Sequence, residues 1–401
     1  MRIPTSAQEF RRFLSRVLSV VPPKLKFRIY RTLDQFRKPA HYDRPEVDVS
    51  KQCRLIIGPA NHAEQAWHWA RATERHLNSV DAISMFRQRG PLAFRADYRV
   101  DMREYRSTRW SISQKEWLKE NFTHVLIDGI RPILGPKFQD DCLLEVDELL
   151  KAGLKVGLIA HGSEIRVPSI HAELYPTSPF RQVPKEYRDL VAVMEKNTKV
   201  WHKFFNEVDV PTFVSTVDLL DFAPSATYLP TIIDPAEWET ATSIQSCVKP
   251  VVLHIPTNPF LKGSNLIDPI LNGMDQAGVI TYLRLEGVEP SKMPSYIHQA
   301  DIVVDQCVLG LYSVMAIQAM AAGRIAIAHV PDWVRNRVPG GNLPVIDATA
   351  DDLESTILDI ISNFEQYRST AQSGPQFVRQ LHTGVQSAMA LESFIYGGRN
   401  D

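Results

Sequence analysis

Glycine is scarce in this chain, with 19 residues in 401 against 27 prolines. So little glycine leaves hardly any material for a multi-glycine phosphate cradle, and neither GxGxxG nor GxxxxGK[ST] occurs. Any phosphate site must therefore lean on helix ends. The four cysteines, Cys53, Cys142, Cys247 and Cys307, are too far apart for a CxxC pair or a disulfide framework, and they read as buried thiols in a reducing compartment. No apolar run reaches the roughly 18 to 20 residues needed to cross a bilayer, and the N-terminus lacks a continuous apolar signal core, so a cytoplasmic protein is expected. GxSxG and HExxH are missing too, which removes the residues of serine hydrolases and zincins. Glu64 and His68 stand at i,i+4 beside His62, but no further ligand cluster joins them, and no metal site is expected.

Charge is also nearly absent on average. The formal net charge is -1, which argues against a nucleic-acid partner. The average conceals a split: residues 1–44 carry eleven basic side chains against three acidic ones, a local +8. Within that extension Ser6 and Glu9 have capping-box spacing, and Ala7, Phe10, Leu14, Val17, Leu18 and Val21 recur at helical intervals until Pro22 and Pro23. Such a basic amphipathic helix suits an anionic membrane surface, and equally a helix packed on its own domain or docked on a partner. A second basic run, Arg95, Arg99, Arg103, Arg106 and Arg109, is interleaved with Tyr98, Tyr105 and Trp110; it reads as a solvated face or as a surface for a polyanionic acceptor.

From Arg54 onward short apolar runs alternate with helical stretches, the pattern of βαβ units around parallel sheets. One series of strands is expected at 55–58, 82–86, 124–127, 156–160, 212–214 and 228–232. A second is expected at 251–255, 279–285, 302–305, 325–328 and 344–346. The organisation that follows is an extension over 1–50, a Rossmann-like domain over 51–230, a second over 231–375, and a helix with a tail over 376–401.

Two segments repeat one geometry. In the first, strand 251–255 runs through a loop into Lys262-Gly263-Ser264 and a helix, which sets an ammonium beside helix N–H groups. This is a phosphate site or a capped helix with a solvated lysine. In the second, strand 302–304 runs through Asp305, Gln306 and Gly310 into Ser313 and the helix 314–322. Open α/β sheets bind ligands at the carboxyl ends of their strands, and two helix N-termini meeting there would clamp a diphosphate.

These words, Lys262-Gly263-Ser264 and Gly310-Leu311-Tyr312-Ser313 through Gln318 to Gly323, resemble the nucleotide-sugar half of GT-B glycosyltransferases, specifically the large retaining group numbered family four. Fainter similarity lies in Gly58-Pro59-Ala60-Asn61-His62 and in His161-Gly162-Ser163-Glu164-Ile165-Arg166. The resemblance implies two Rossmann-like domains facing across a cleft and a metal-independent, retaining transfer. The donor would be a nucleotide sugar, UDP- or GDP-linked, with no other cofactor, and the acceptor a glycan or a lipid-linked molecule. It implies Lys262 and His161 as the catalytic pair. It places the diphosphate on Asn61, Lys262, Gly263, Ser264, Gly310, Leu311, Tyr312, Ser313 and Val314, and the ribose and base on Gln318, Glu286, Gly287 and Val288. The family's two glutamates, eight residues apart, are here Gly310 and Gln318, and Glu164, Asp305 and Gln306 are the candidates to replace the missing acid. A scaffold that binds a nucleotide sugar or an enzyme without turnover, and an epimerase of the same fold, are the rival readings.

Overall fold

The computed structural model describes residues 42–88, 94–135, 142–240, 244 and 248–397. The helix expected over 6–21, nearly all of the basic extension and Cys247 lie outside the described residues. Where the extension enters them, Arg44 is docked, its guanidinium 5.1 Å from the Trp117 ring centre and hydrogen-bonded to Ser113.

Among the described residues there are twelve strands: β1 (Cys53–Gly58), β2 (Val80–Gln88), β3 (Tyr98–Asp101), β4 (His124–Asp128), β5 (Lys155–Ala160), β6 (Thr212–Val214), β7 (Thr227–Tyr228), β8 (Val251–His254), β9 (Thr281–Arg284), β10 (Ile302–Gln306), β11 (Ile325–Ala328) and β12 (Val345–Ile346). The helices are α1 (Gln65–His76), α2 (Met102–Tyr105), α3 (Thr108–Asn121), α4 (Cys142–Lys151), α5 (Pro168–Leu174), α6 (Arg188–Glu207), α7 (Pro259–Lys262), α8 (Ser264–Gln276), α9 (Met293–Gln299), α10 (Val314–Ala321), α11 (Asp332–Arg335), α12 (Leu353–Ser362), α13 (Phe364–Leu381) and α14 (Val385–Tyr396). None of them is long and apolar enough to cross a membrane.

The chain gathers into two compact units, one built from residues up to Ala70 with Ser79–Gly157, the other from Arg71–Asn78 with Leu158 onward. In the first, the strand order is β3-β2-β1-β4 and the pairings are parallel. Strand β3 is the element the apolar pattern does not announce. Its Tyr98 and Val100 are buried and its Arg99 and Asp101 exposed, the alternation of a half-covered edge strand. Tyr98, Tyr105 and Trp110 are core residues at 3%, 1% and 0% exposure, so the aromatics of that basic run face inward and are not an acceptor platform.

The second unit holds the parallel run β5-β6-β7 and a five-stranded parallel sheet of order β12-β11-β10-β8-β9. The strands at the centre of the five-stranded sheet are largely apolar, as in a sheet covered by helices on both faces. Val252, Ile302, Val304, Ile325 and Ile327 pack with Ile267 and Leu271 of α8 and with Leu353 and Ile357 of α12, all 2% exposed or less. The Ala-Met-Ala-Ala-Gly stretch at the end of α10 lets α13 come close: a Cβ on Gly374 would fall 2.6 Å from Met320 O. The single helix expected over 376–396 is two helices, because Gly384, at φ 107°, turns the chain between α13 and α14.

Candidate functional site

In the five-stranded sheet the order reverses between β8 and β10, since β8 lies inside both β9 and β10. The loops leaving the carboxyl ends of these two strands therefore diverge and open a crevice, the position at which open α/β sheets take their ligands. The loop after β8 ends in the short helix α7, which Asn258 caps by accepting from Leu261 N. Gly263 follows at φ 74°, with so little room that a Cβ would lie 2.8 Å from Val308 Cγ1. This tight turn presents Lys262 toward the loop after β10.

Lys262 Nζ donates to Asp305 Oδ1 at 2.5 Å and to Ser313 Oγ at 2.8 Å. Asp305 also accepts from Ser313 N–H at 2.8 Å and from the Ser313 hydroxyl at 2.7 Å. Its side chain is 1% exposed and that of Lys262 14%. The β10–β11 ladder shifts register between Val304 and Gln306, and Asp305 is the extra residue, turned by the bulge toward Lys262. Lysine, serine hydroxyl and helix-terminal N–H thus surround one anion, and that anion is the chain's own carboxylate. Asp305 is not held free as a substitute acid, because every one of these donors is bonded to it.

The other expected residues divide by what holds them. Ser264 is neither a cap nor a phosphate ligand through its side chain: it is 1% exposed, its hydroxyl is bonded to His254 Nε2 at 2.8 Å, and the cap position of α8 belongs to Gly263. His254 donates through Nδ1 to Val304 O, and burial pulls its pKa down to about 4. Gln306 spends both ends of its amide on the following loop, accepting from Val308 N and Leu309 N and donating to Leu311 O and His329 O. It is a loop brace and not a replacement acid. Glu164 accepts from His161 N at 3.0 Å and from Ser163 Oγ at 3.0 Å, a turn-holding task that also removes it from that role. His161 Nδ1 meets Ser215 Oγ at 3.1 Å.

Gly310 sits at φ 72°, and a Cβ there would come within 2.6 Å of Tyr175 Cδ1 and 3.3 Å of Pro331 Cδ. The space an acidic side chain would need is filled by the Tyr175 ring, which stacks on His171 at 4.4 Å and donates its hydroxyl to Asp221 at 2.6 Å. His171 in turn meets Leu309 O through Nε2, and burial, with the Arg166 charge second, lowers its pKa to about 3. Leu311 and Tyr312 are buried, and the Tyr312 hydroxyl lies 3.3 Å from that of Tyr228. Val314 opens α10, where Gln318 stands half-buried. In the loop after β9, Glu286 is paired with Arg284, Gly287 turns at φ 62° and Val288 is half-buried.

In the first unit, Asn61 is fully buried. Its amide donates to Arg95 O, its Oδ1 accepts from Trp67 N and its backbone N–H donates to Asp128, so its side chain braces a loop rather than reaching for a diphosphate. Glu64, which stands near His62 and His68 in the sequence, is paired with Arg95 at 2.6 Å. Sequence reasoning missed Asp218 and Asp221. Both interrupt an apolar run, Val217 to Phe222, and a carboxylate inside such a run signals burial with a partner.

No protein-family model matches the sequence, and no curated protein matches it. Solved structures do match in shape. Sucrose-phosphate synthase from Thermosynechococcus elongatus has a TM-score of 0.54 at 10% identity, covering 86% of this chain and 98% of that one. HepE from Anabaena in complex with UDP-glucose has a TM-score of 0.53 at 10% identity, covering 85% and 98%. A glycosyltransferase from Rickettsia africae has a TM-score of 0.52 at 10% identity, covering 88% and 100%. At this identity the likeness is one of fold: the chain has the two Rossmann-like α/β halves of the GT-B type.

Proposed function

We propose that the chain is a glycosyltransferase that takes a nucleoside-diphosphate sugar, UDP- or GDP-linked, at the carboxyl ends of β8 and β10 and passes the sugar to a glycan or lipid-linked acceptor. The observation that carries this reading is the convergence of Lys262 Nζ, Ser313 N–H and Ser313 Oγ on a single anion at the strand-order reversal. A phosphate oxygen brought there meets the same three donors. When the glycosidic bond breaks, negative charge grows on the departing diphosphate, and a fixed cation with the N-terminus of α10 absorbs it; such preorganised donors contribute about 3 kcal/mol each. Retention of configuration and independence of a metal belong to this reading through the family resemblance. In it, residues 231–375 serve the donor, residues 51–230 the acceptor with His161 toward the sugar, and residues 1–44 an anionic membrane surface. The likeness in fold to HepE, captured with UDP-glucose, supports the choice of donor class.

Calorimetry with UDP and GDP tests it. Lys262→Ala should weaken nucleoside-diphosphate binding at least tenfold, and unchanged affinity would remove Lys262 from the site. One observation favours a second reading, a binding scaffold without turnover: Tyr175 fills the space beside Gly310 where the family carries an acid. A panel of UDP-, GDP- and ADP-sugars separates the two, because tight binding with neither donor hydrolysis nor transfer selects the scaffold.

A further inference from the structure

The segment Ser215–Asp218 after β6 and the pair Leu311 and Tyr312 after β10 border a cavity of ≈ 10 Å³. A space of that size admits one water-sized group, such as a hydroxyl, and no ring. Most polar atoms on its walls already have partners: Tyr228 and Tyr312 share their hydroxyls, and Thr231 Oγ1 donates to Ser215 O at 3.1 Å. Asp218 Oδ1 and Thr216 Oγ1 do not; both are buried with no hydrogen-bond partner. Asp218 is 0% exposed, and its other oxygen is fixed by Arg166 Nη2 at 2.5 Å, whose guanidinium lies against Gly162. A buried carboxylate oxygen with nothing to accept from is costly, and it is tolerated where a ligand completes it.

We infer that Asp218 is a sugar-binding residue: Oδ1 accepts a hydrogen bond from a hydroxyl of the donor's hexose, and the Thr216 hydroxyl donates to the same oxygen. The inference rests on the nucleotide-sugar reading above. Three wall residues set the ligand's place. Leu311 and Tyr312 belong to the loop that leads to Ser313 and Lys262, and Ser215 Oγ bonds His161, the histidine assigned to the sugar. Thr216 lines the same cavity, half-buried as a residue with its hydroxyl oxygen buried. Carboxylate-to-hydroxyl hydrogen bonds are charge-assisted and directional, so they select a hydroxyl at one ring position. Gly310 contributes no acid to the sugar; Asp218 contributes one from the opposite wall.

The test compares each nucleoside diphosphate with its sugar conjugates by calorimetry: UDP against UDP-glucose, UDP-galactose and UDP-N-acetylglucosamine, and GDP against GDP-mannose. The wild-type chain should prefer one conjugate over its parent diphosphate. Asp218→Asn keeps the shape and should cut that preference at least tenfold while leaving diphosphate affinity within twofold. Thr216→Val should cut it about threefold, and it serves if the Asp218 variant fails to fold. A preference retained in both variants, or none in the wild type that binds UDP or GDP, overturns the role of Asp218 and leaves the nucleotide site standing. A wild-type chain that binds neither diphosphates nor conjugates overturns both.

Discussion

Replacing Asp305 by asparagine should make the chain bind nucleoside diphosphates more tightly. The wild-type carboxylate holds the three donors that a phosphate would use, and it is 2% exposed, so it cannot simply move into solvent. An incoming phosphate would share Lys262 with it at a charge separation of about 4 Å, where two unit charges at an effective dielectric of about 20 repel by ~4 kcal/mol. Rotation of the carboxylate and the remaining proton of Lys262 relieve part of that repulsion; if a third persists, about 1.4 kcal/mol remains, which is a tenfold change in affinity. Asparagine keeps an oxygen for Lys262 and Ser313 and sheds the charge. Calorimetric titration with UDP and GDP at fixed low ionic strength should therefore show roughly tenfold tighter binding, a gain that shrinks as salt rises. Equal or weaker binding by Asp305→Asn would refute the argument and make Asp305 a group that positions Lys262 for the phosphate.

Gly310→Glu should destabilise the fold by about 2 to 4 kcal/mol, because the residue must adopt φ 72° and displace the Tyr175 ring. Urea unfolding reads the loss, and adding Tyr175→Ala should cost less than the sum of the two single changes, since the first substitution already removes the ring's contacts. Acid should weaken the second unit through three buried imidazoles, with His171 held down to about 3 and His254 and His382 to about 4, in each case chiefly by burial. Each is neutral in the fold and free to protonate when unfolded. Their native pKa values are thus depressed, and the stability they lend is complete above the unfolded value near 6.5 and lost as pH falls from there toward about 4. The slope is about 1.4 kcal/mol per pH unit for each imidazole; an unfolding midpoint in urea that is the same at pH 7 and pH 5 would contradict it.

The sheets were legible because parallel strands covered on both faces are continuous apolar runs, and 251–255, 302–305 and 325–328 came through within a residue or two. Strand β3 was not, because four alternating residues inside an arginine run carry the signature of a solvated face until β2 is seen beside them. Lys262 and Ser313 were legible as anion donors for the same local reason: each follows a strand and a loop at a helix end, and that geometry is written in consecutive residues. What surrounds them is not. The bulge that turns Asp305 toward Lys262 depends on the register with β11, and Gly310 is explained by a tyrosine just past the end of α5. Sequence alone points to acids beside the motifs. Glu164, Asp305 and Gln306 are the polar neighbours of the motifs along the chain, and nearness in sequence is what gives each of them a partner in its own turn or bulge. A carboxylate with an oxygen left over comes instead from β6's loop, where Arg166 holds one side of Asp218 and nothing holds the other. In a crevice built from strands far apart in sequence, the group that completes the site is to be sought across the crevice, not next to the motif.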